Sequence, residues 1–337
     1  MAILVTGGAG YIGSHTCVEL LNEGFDIVIA DNYYNSKPVV LDRIKSITNK
    51  DFPFYEVDVC DLEKVEKIFQ ENNIEAVIHF AGYKAVGESV AKPIMYYRNN
   101  IDSALTVLEV MKKHNCNNFV FSSSATVYGN PKSCPIKEDF PLSTTNPYGT
   151  TKLFIERILT DAAFANKDLS IALLRYFNPI GAHKSGLLGE NPNDIPNNLM
   201  PYIAKVATKE LEKLHVFGND YDTKDGTGVR DYIHVVDLAR GHVAAIKKIL
   251  KSKGVKAYNL GTGVGYSVLE IVENFSKINN IEIPYVIDPR RPGDIAMCYA
   301  DGTLAKEELG FTTLYNITDM CQDTYNFIMA ETKRNRE

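Results

Sequence analysis

Two side chains four residues apart, Tyr148 and Lys152, could carry out acid–base chemistry in this 337-residue sequence. They begin an amphipathic stretch, and on a helix this spacing places them on one face. A phenol has a pKa of about 10. A cation about 6 Å away contributes nearly 3 kcal/mol toward its ionisation at an effective dielectric of about 20. Ser124, after an apolar strand, could orient or relay the proton. We predict that these three residues are catalytic rather than an ordinary surface pair and a strand-end serine.

A glycine-rich turn lies between the first predicted strand and the first predicted helix, with Gly7, Gly10 and Gly13 at regular spacing. Glycine lets the backbone approach a phosphate closely, and the following helix start offers free N–H groups. The turn therefore predicts a dinucleotide site rather than a purely structural turn. Asp31 ends the second strand, where a carboxylate binds the adenosine ribose and repels a 2′-phosphate. This favours NAD over NADP.

Two further features concern the same cofactor. Asp58 ends the third predicted strand, and two interpretations remain open: it contacts the adenine amino group, or it caps the helix before Leu62. An oxidised nicotinamide beside Tyr148 would add a second cation to Lys152. The tyrosine and lysine pair therefore makes chemical sense next to NAD⁺ and much less sense without it.

Alternating strands and helices must position these residues. Apolar strands are predicted at 2–6, 25–30, 52–57, 76–80, 118–123 and 170–176, with helices at 11–23, 62–70 and 97–113 between them. This alternation predicts an α/β protein with a doubly wound parallel Rossmann sheet and a smaller α/β C-terminal substrate lobe. We expect an NAD-binding domain over 1–176, with a returning core strand near 257–260, and a substrate-binding lobe over 177–337.

The composition excludes several classes of protein. Apolar residues make up 45% and charged residues 23% of the chain, so it is expected to fold. The net charge of −6 argues against nucleic acid or anionic lipid as a partner. The six cysteines are scattered and read as reduced thiols, so we predict no metal site. No apolar run or signal segment is evident, and we expect a cytoplasmic location without a membrane partner.

The sequence resembles the extended short-chain dehydrogenase/reductase family over nearly the whole chain. The resemblance is carried by GGAGYIG at 7–13, FAG at 80–82, SSSATVYG at 122–129, YGTTK at 148–152, LRYFNP at 174–179, NNLMP at 197–201 and GVRDYIHV at 228–235. It implies an isomerase that interconverts UDP-galactose and UDP-glucose through a 4-keto intermediate, with transient reduction of bound NAD. It also implies a homodimer packed through a helical bundle.

The resemblance assigns site residues by position. Ser124, Tyr148 and Lys152 are the implied catalytic trio. Besides the three glycines, the implied cofactor contacts are Tyr11, Ile12, Asp31, Asn32, Asn35, Ser36, Asp58, Val59, Phe80, Ala81, Gly82, Lys84, Asn99, Tyr148, Lys152 and Phe177. The implied substrate contacts are Ser124, Tyr148, Asn178, Asn198, Leu199, Val216, Phe217, Arg230, Arg291, Asp294 and Cys298.

The two arginines in this set could bind the two phosphates of a sugar nucleotide bidentately. The alternative for Arg230 is a weak surface ion pair with its neighbour Asp231. Cys298 occupies the position at which the family gates the 2-substituent of the sugar. Its small side chain leaves room for an N-acetyl group, so UDP-N-acetylglucosamine and its galacto epimer are expected substrates. A buried thiol that only fills space is equally compatible with the sequence.

Two other functions compete. A sugar-nucleotide 4,6-dehydratase or decarboxylase shares the cofactor site and the tyrosine–lysine pair, but a dehydratase typically has an Asp-Glu pair directly after the strand serine. Ala125 and Thr126 stand there, and neither exchanges a proton at neutral pH. A non-catalytic NAD-sensing regulator would have little reason to keep Tyr148, Lys152 and Ser124 together.

Overall fold

The computed structural model describes residues 2–192, 198–291 and 293–336. Its strands are β1 Ala2–Thr6, β2 Asp26–Asp31, β3 Phe54–Glu56, β4 Ile74–His79, β5 Asn118–Ser124, β6 Ser170–Tyr176, β7 Asn178–Ile180, β8 Leu214–Phe217, β9 Val229–His234, β10 Gly254–Leu260, β11 Gly265–Ser267, β12 Tyr285–Asp288 and β13 Met297–Cys298. Its helices are α1 Tyr11–Asn22, α2 Val39–Thr48, α3 Leu62–Glu71, α4 Val86–Ala91, α5 Pro93–Lys113, α6 Pro147–Ala165, α7 Leu199–Ala207, α8 Val235–Ile249, α9 Val268–Asn279, α10 Thr303–Leu309 and α11 Ile317–Arg334.

Seven parallel strands form the main sheet, in the order β10-β6-β5-β4-β1-β2-β3. Alternate residues of β1 enter different cores: Ile3 and Val5 pack on one face and Leu4 on the other. Helices α1, α2 and α8 cover the first face, and α3, α5 and α6 cover the second. Because both faces are covered, the strands are continuous apolar runs. The predicted doubly wound α/β class is confirmed.

The edge of this sheet is completed by a strand from late in the chain. β10 pairs in parallel with β6, with Tyr258 opposite Leu174. The strand expected near 257–260 is therefore present and begins earlier, at Gly254. The division of the chain into two domains at residue 176 stays a prediction.

The second half of the chain builds two small sheets that were only partly predicted. One has the order β11-β9-β13, with β7 also on β9, and the other pairs β8 with β12. Strand β9 was missed because Arg230 and Asp231 interrupt its apolar pattern. Asp231 is fully buried, and its carboxylate accepts hydrogen bonds from the backbone of Thr262, Gly263 and Ala300. A search for apolar residues cannot find a strand that contains a buried, hydrogen-bonded carboxylate of this kind.

The start of α6 is fixed by its own sequence. The Asn146 side chain accepts a hydrogen bond from the Gly149 N–H at 2.8 Å, and Pro147 occupies the first helical position. Both features favour a helix start. They place Tyr148 in the first turn, at the carboxyl end of β5. Among the described helices, none has the length and apolarity to cross a membrane.

Candidate active site

The three predicted catalytic residues meet at the carboxyl end of β5. The Lys152 ammonium lies 5.8 Å from the centre of the Tyr148 ring and donates to the Ser122 carbonyl at 2.7 Å. Burial raises the pKa of Tyr148, and the Ser124 side chain next to it opposes part of that rise. The prediction that spacing on α6 and the end of β5 bring these residues together is thus supported by their placement. Their catalytic roles stay predictions.

Burial controls the charge of both titratable groups. Desolvation raises the pKa of Tyr148 to about 12, against the smaller lowering by Ser124. Desolvation also lowers the pKa of Lys152 to about 8. The ammonium is 5.0 Å from the centre of the Phe121 ring, a contact that favours the charged form. In the protein alone the phenol is therefore neutral at pH 7, and a further cation is needed to ionise it.

The glycine-rich turn is shaped to receive a phosphate. Gly7 has φ +70°, and a Cβ there would lie 2.9 Å from the Ala81 nitrogen. A Cβ on Gly13 would lie 2.3 Å from the Gly7 carbonyl oxygen. The cap residue of α1, Gly10, places no side chain over the helix N–H groups. Exposed N–H groups at a helix start bind anions, so the turn fits a dinucleotide pyrophosphate.

A cavity of about 300 Å³ runs from this turn to Tyr148 and Lys152, and Ser124 is not among its lining residues. Every predicted cofactor contact except Phe177 lines it: Gly7, Gly10, Tyr11, Ile12, Gly13, Asp31, Asn32, Asn35, Ser36, Asp58, Val59, Phe80, Ala81, Gly82, Lys84, Asn99, Tyr148 and Lys152. Phe177 is buried instead in a separate apolar cluster with Val127 and Ile136. Its side chain is therefore not part of the cavity wall. The remaining set has the extent and polarity that NAD requires.

Asp31 links the glycine-rich turn to the loop after β2. Its carboxylate accepts hydrogen bonds from the Ala9 N–H at 3.0 Å, the Tyr33 N–H at 2.8 Å and the Ser36 hydroxyl at 2.9 Å. Desolvation by burial raises its pKa. The carboxylate lines the cavity, as an adenosine ribose acceptor would, and part of its acceptor capacity is used to shape the turn.

Asp58 also lines the cavity, and the residue that caps α3 is Asp61 instead. The Asp58 carboxylate accepts from the Cys60 N–H at 2.9 Å. Asp61 is the cap of α3, with its side chain accepting from the Lys64 N–H at 3.2 Å. The helix-cap interpretation of Asp58 was wrong, and a contact with the adenine stays a prediction.

The predicted substrate residues fall into groups. The Arg291 guanidinium donates to Asp294 at 3.0 Å and lies 4.7 Å from the centre of the Phe217 ring. Arg230 donates to the Val229 carbonyl at 2.8 Å, and Asp231 is engaged with backbone N–H groups instead. The structure therefore contradicts the surface-pair interpretation of Arg230.

The other predicted substrate residues are spread over the second half of the chain. Val216 is buried in the apolar core beneath β8, and its contact with a uracil stays a prediction. Leu199 begins α7 and packs partly into the same core. Asn178 is exposed at the start of β7, and Asn198 lines the cofactor cavity. Asn197, within one of the motifs that carry the resemblance, lies outside the described residues.

The sequence is similar to known proteins over most of its length. A model described as the NAD dependent epimerase/dehydratase family matches residues 3–261. The chain belongs to this family. A relative from Bacillus subtilis named UDP-glucose 4-epimerase is 62% identical over 327 residues, covering 97% of this chain and 96% of that protein. A Homo sapiens relative of the same name is 52% identical over 332 residues, covering 96% and 95%.

Solved structures agree with the family membership. The UDP-glucose 4-epimerase from Bifidobacterium longum, in complex with NAD⁺ and UDP, has a TM-score of 0.96 at 58% identity. The match covers 98% of this chain and 99% of that one. A UDP-Glc/GlcNAc 4-epimerase from Campylobacter jejuni has a TM-score of 0.85 at 33% identity, covering 98% and 99%.

Several cavity residues of this epimerase/dehydratase family member were not predicted. Tyr34 and Tyr83 both line the cavity, with ring centres 4.5 Å apart. Tyr83 could have been found, since it stands between the predicted contacts Gly82 and Lys84. Arg43 and Glu190 also line the cavity. Nothing near them in sequence indicates a cofactor, because the fold alone brings them there.

Proposed function

We propose that this protein is an NAD-dependent UDP-glucose 4-epimerase that reversibly interconverts UDP-glucose and UDP-galactose. The single observation that carries the proposal is that Tyr148 and Lys152 line the same cavity as the glycine-rich turn, with Ser124 next to Tyr148. The full-length similarity to proteins of that name supports the substrate. The fit of the glycine-rich turn and Asp31 to a dinucleotide supports the cofactor.

NAD, when bound, would accept the hydride from C4 of the sugar and later return the same hydride to C4. The chain's part is to move one proton. The Tyr148 oxygen accepts the proton of the sugar 4-hydroxyl and later gives it back, so no net proton is consumed. Lys152 stabilises the phenolate electrostatically, and the Ser124 hydroxyl donates to it.

Inversion requires the sugar to present its other face while the nucleotide stays bound. Arg230 and Arg291 are proposed to bind the diphosphate, and Asp294 and Phe217 to hold the uridine. The contacts of the Arg291 guanidinium with Asp294 and with the Phe217 ring support this grouping. An anchored diphosphate lets the 4-keto sugar rotate about its bond to phosphate without dissociating. Charge-assisted, bidentate contacts suit this anchoring task.

The residues after Ser124 favour epimerisation over elimination. Ala125 and Thr126 form a short 3₁₀ turn, and the Ser124 side chain accepts from the Thr126 N–H at 3.2 Å. No side chain here can remove a proton from the sugar C5 or protonate a leaving hydroxyl at neutral pH. A 4,6-dehydratase therefore lacks its acid and base at this position.

We also propose that the 2-acetamido sugars are substrates. Cys298 lies opposite Arg230 in the β13–β9 pairing and packs against the cluster that contains Phe177. The thiol is thus next to the predicted diphosphate contact, where the sugar begins. A side chain of this size leaves the 2-position open to an N-acetyl group.

A homodimer is proposed on the exposed apolar side chains of α5 and α6. Leu105 is 45% exposed and Phe154 is 49% exposed, and Tyr97 stacks on Phe154 with ring centres 6.1 Å apart. Apolar surface of this kind on two packed helices marks an interaction site. We also propose a cytoplasmic location, in keeping with cysteines predicted to be reduced.

The test of the proposed function uses product mass. The purified protein is incubated with UDP-galactose, and the nucleotide products are separated and weighed by mass spectrometry. An isomer of equal mass that co-elutes with UDP-glucose supports the proposal. A product lighter by water indicates the dehydratase. Loss of carbon dioxide in a parallel incubation with UDP-glucuronic acid indicates the decarboxylase, and no change in either substrate indicates the non-catalytic regulator. Tyr148→Phe is the inactive control.

A further inference from the structure

Residues 181–191, here named the cover segment, form an outer wall of the cavity. The segment folds back on itself through an antiparallel bridge between Ala182 and Gly189 and a 2.9 Å hydrogen bond from the His183 N–H to the Leu188 carbonyl. Its residues 187–191 line the cavity. The glycine-rich turn belongs to the first strand–helix connection, whereas the cover segment follows β7. A bound cofactor therefore lies between two parts of the chain.

Both ends of the cover segment contact residues predicted to bind the cofactor. The Tyr11 hydroxyl donates to the Gly181 carbonyl at 2.7 Å. At the other end the Lys84 ammonium contacts the Glu190 carboxylate at 3.1 Å. These contacts join the segment to the opposite wall of the cavity.

A partly buried carboxylate on α11 lies behind the middle of the segment. Glu331 is 13% exposed and contacts the guanidinium groups of Arg43 on α2 and Arg334 on its own helix, each at 2.7 Å. It also accepts a hydrogen bond from the Asn191 side chain at 3.1 Å. The Glu331 carboxylate thus connects three parts of the fold, namely α2, α11 and the cover segment.

The two guanidinium groups then hold the backbone of the segment. Arg43 donates to the Leu187 carbonyl at 3.1 Å, and Arg334 donates to the Gly186 carbonyl at 2.6 Å. Glu331 fixes the orientation of both guanidinium groups. A guanidinium is planar and rigid, so it donates to the carboxylate and to the backbone carbonyl together in one orientation only. Loss of the carboxylate would leave two partly buried cations without their anion.

Packing reinforces this arrangement. A Cβ added to Gly189 would lie 2.4 Å from the Phe327 ring, so the backbone of the segment rests directly on α11. From these contacts we infer that Glu331 is a positioning residue for the cofactor: through Arg43 and Arg334 it holds the cover segment over the bound nucleotide and so slows its release. The inference rests on the proposed NAD site and not on the epimerisation.

The experiment measures exchange of bound cofactor in the full-length protein. Purified protein loaded with NAD is mixed with excess isotopically labelled NAD. The labelled fraction of the protein-bound NAD is then measured at intervals by mass spectrometry. For Glu331→Gln we expect the exchange half-life to fall at least about tenfold, since charge-assisted hydrogen bonds of this kind are among the stronger ones. Glu331→Asp keeps the charge and is expected to exchange more slowly than the glutamine variant.

The matched control is Glu23→Gln. Glu23 contacts Lys247 at 2.7 Å, and this exposed ion pair also joins separate elements, away from the cavity. The same chemical change there is expected to leave the half-life unaltered. Asn191→Ala removes one contact from the side of the cover segment and is expected to shorten the half-life about threefold, which keeps the test decisive if Glu331→Gln does not fold.

Two outcomes separate the inference from the function on which it rests. Folded Glu331→Gln and Asn191→Ala proteins that exchange NAD as slowly as the unaltered protein overturn the inference alone. An unaltered protein that binds no NAD overturns both the inference and the proposed cofactor.

Discussion

The Lys152 ammonium lies beside the Tyr148 ring, 5.8 Å from its centre, and gives its short hydrogen bond to the Ser122 carbonyl instead of to the phenol. The interaction between these two predicted catalytic residues is therefore electrostatic. Burial acts in opposite directions on them, raising the pKa of Tyr148 to about 12 and lowering that of Lys152 to about 8. Each group is held nearer its neutral form than in water, and a bound cation is what ionises the phenol.

Tyr148→Phe is expected to remove proton transfer and to leave the cofactor in place. General acid–base catalysis contributes about 10²–10⁴-fold, so the rate of UDP-galactose conversion should fall by at least that factor. NAD released from the denatured variant should match the amount in the unaltered protein. A variant that epimerises at the normal rate would exclude Tyr148 as the base.

Lys152→Met is expected to abolish activity and to change how stability depends on pH. The pKa of Lys152 falls from 10.5 in the unfolded chain to about 8 in the fold, so the unfolded chain binds more protons between these values. The stability of the unaltered protein therefore gains a contribution as pH rises from 8 toward 10.5. The variant lacks that contribution, which amounts to up to about 3 kcal/mol.

Denaturant unfolding of both proteins, without cofactor, at the two ends of this pH range measures the contribution. The difference in free energy of unfolding, variant minus unaltered protein, should shrink as pH rises. A difference that stays constant over the range would show that Lys152 is not desolvated as the structure indicates.

Gly13→Ala is expected to destroy cofactor binding. Its Cβ would lie 2.3 Å from the Gly7 carbonyl oxygen, which forces the phosphate-binding turn open. Gly87→Ala is the control, because a Cβ there meets no atom within 4 Å and Gly87 lies in α4. Isothermal titration with NAD should show binding lost in the first variant and preserved in the second. Equal affinities would contradict the assignment of the turn.

Cys298→Tyr tests the specificity proposal. A tyrosine beside Arg230 would fill the space assigned to the N-acetyl group, so the turnover ratio of UDP-N-acetylgalactosamine to UDP-galactose should fall about tenfold or more. Cys134→Ala changes a neighbouring thiol in the same cluster and should leave the ratio intact. An unaltered ratio in Cys298→Tyr means that the thiol only fills space.

The sequence predicts those parts of the site that are local. The spacing of Tyr148 and Lys152, the glycine turn and Asp31 each lie within one strand–helix unit, so periodicity alone places them. The burial of Val216 could not be predicted in this way, because it depends on the alternation of β8, in which His215 faces solvent and Val216 faces the core. The position of a side chain on a short strand is known only when its neighbours are known.

Residues joined across the fold could not be predicted. Glu331 and Arg43 belong to helices at opposite ends of the chain, and neither carries a local motif. Asp231 illustrates a related difficulty, since its charge looks like a surface feature until the backbone N–H groups around it are in place. Long-range contacts of this kind follow from the topology and not from a local pattern.

The most direct test of the central claim follows the hydrogen at C4. UDP-galactose carrying deuterium at C4 is converted by the purified protein in ordinary water, without added NAD, and the UDP-glucose formed is analysed by mass spectrometry and NMR. If Tyr148 and a retained cofactor share one cavity and the same hydride is returned, the deuterium stays at C4 of the product. Deuterium lost to water, or conversion only when NAD is added in stoichiometric amount, would contradict the account.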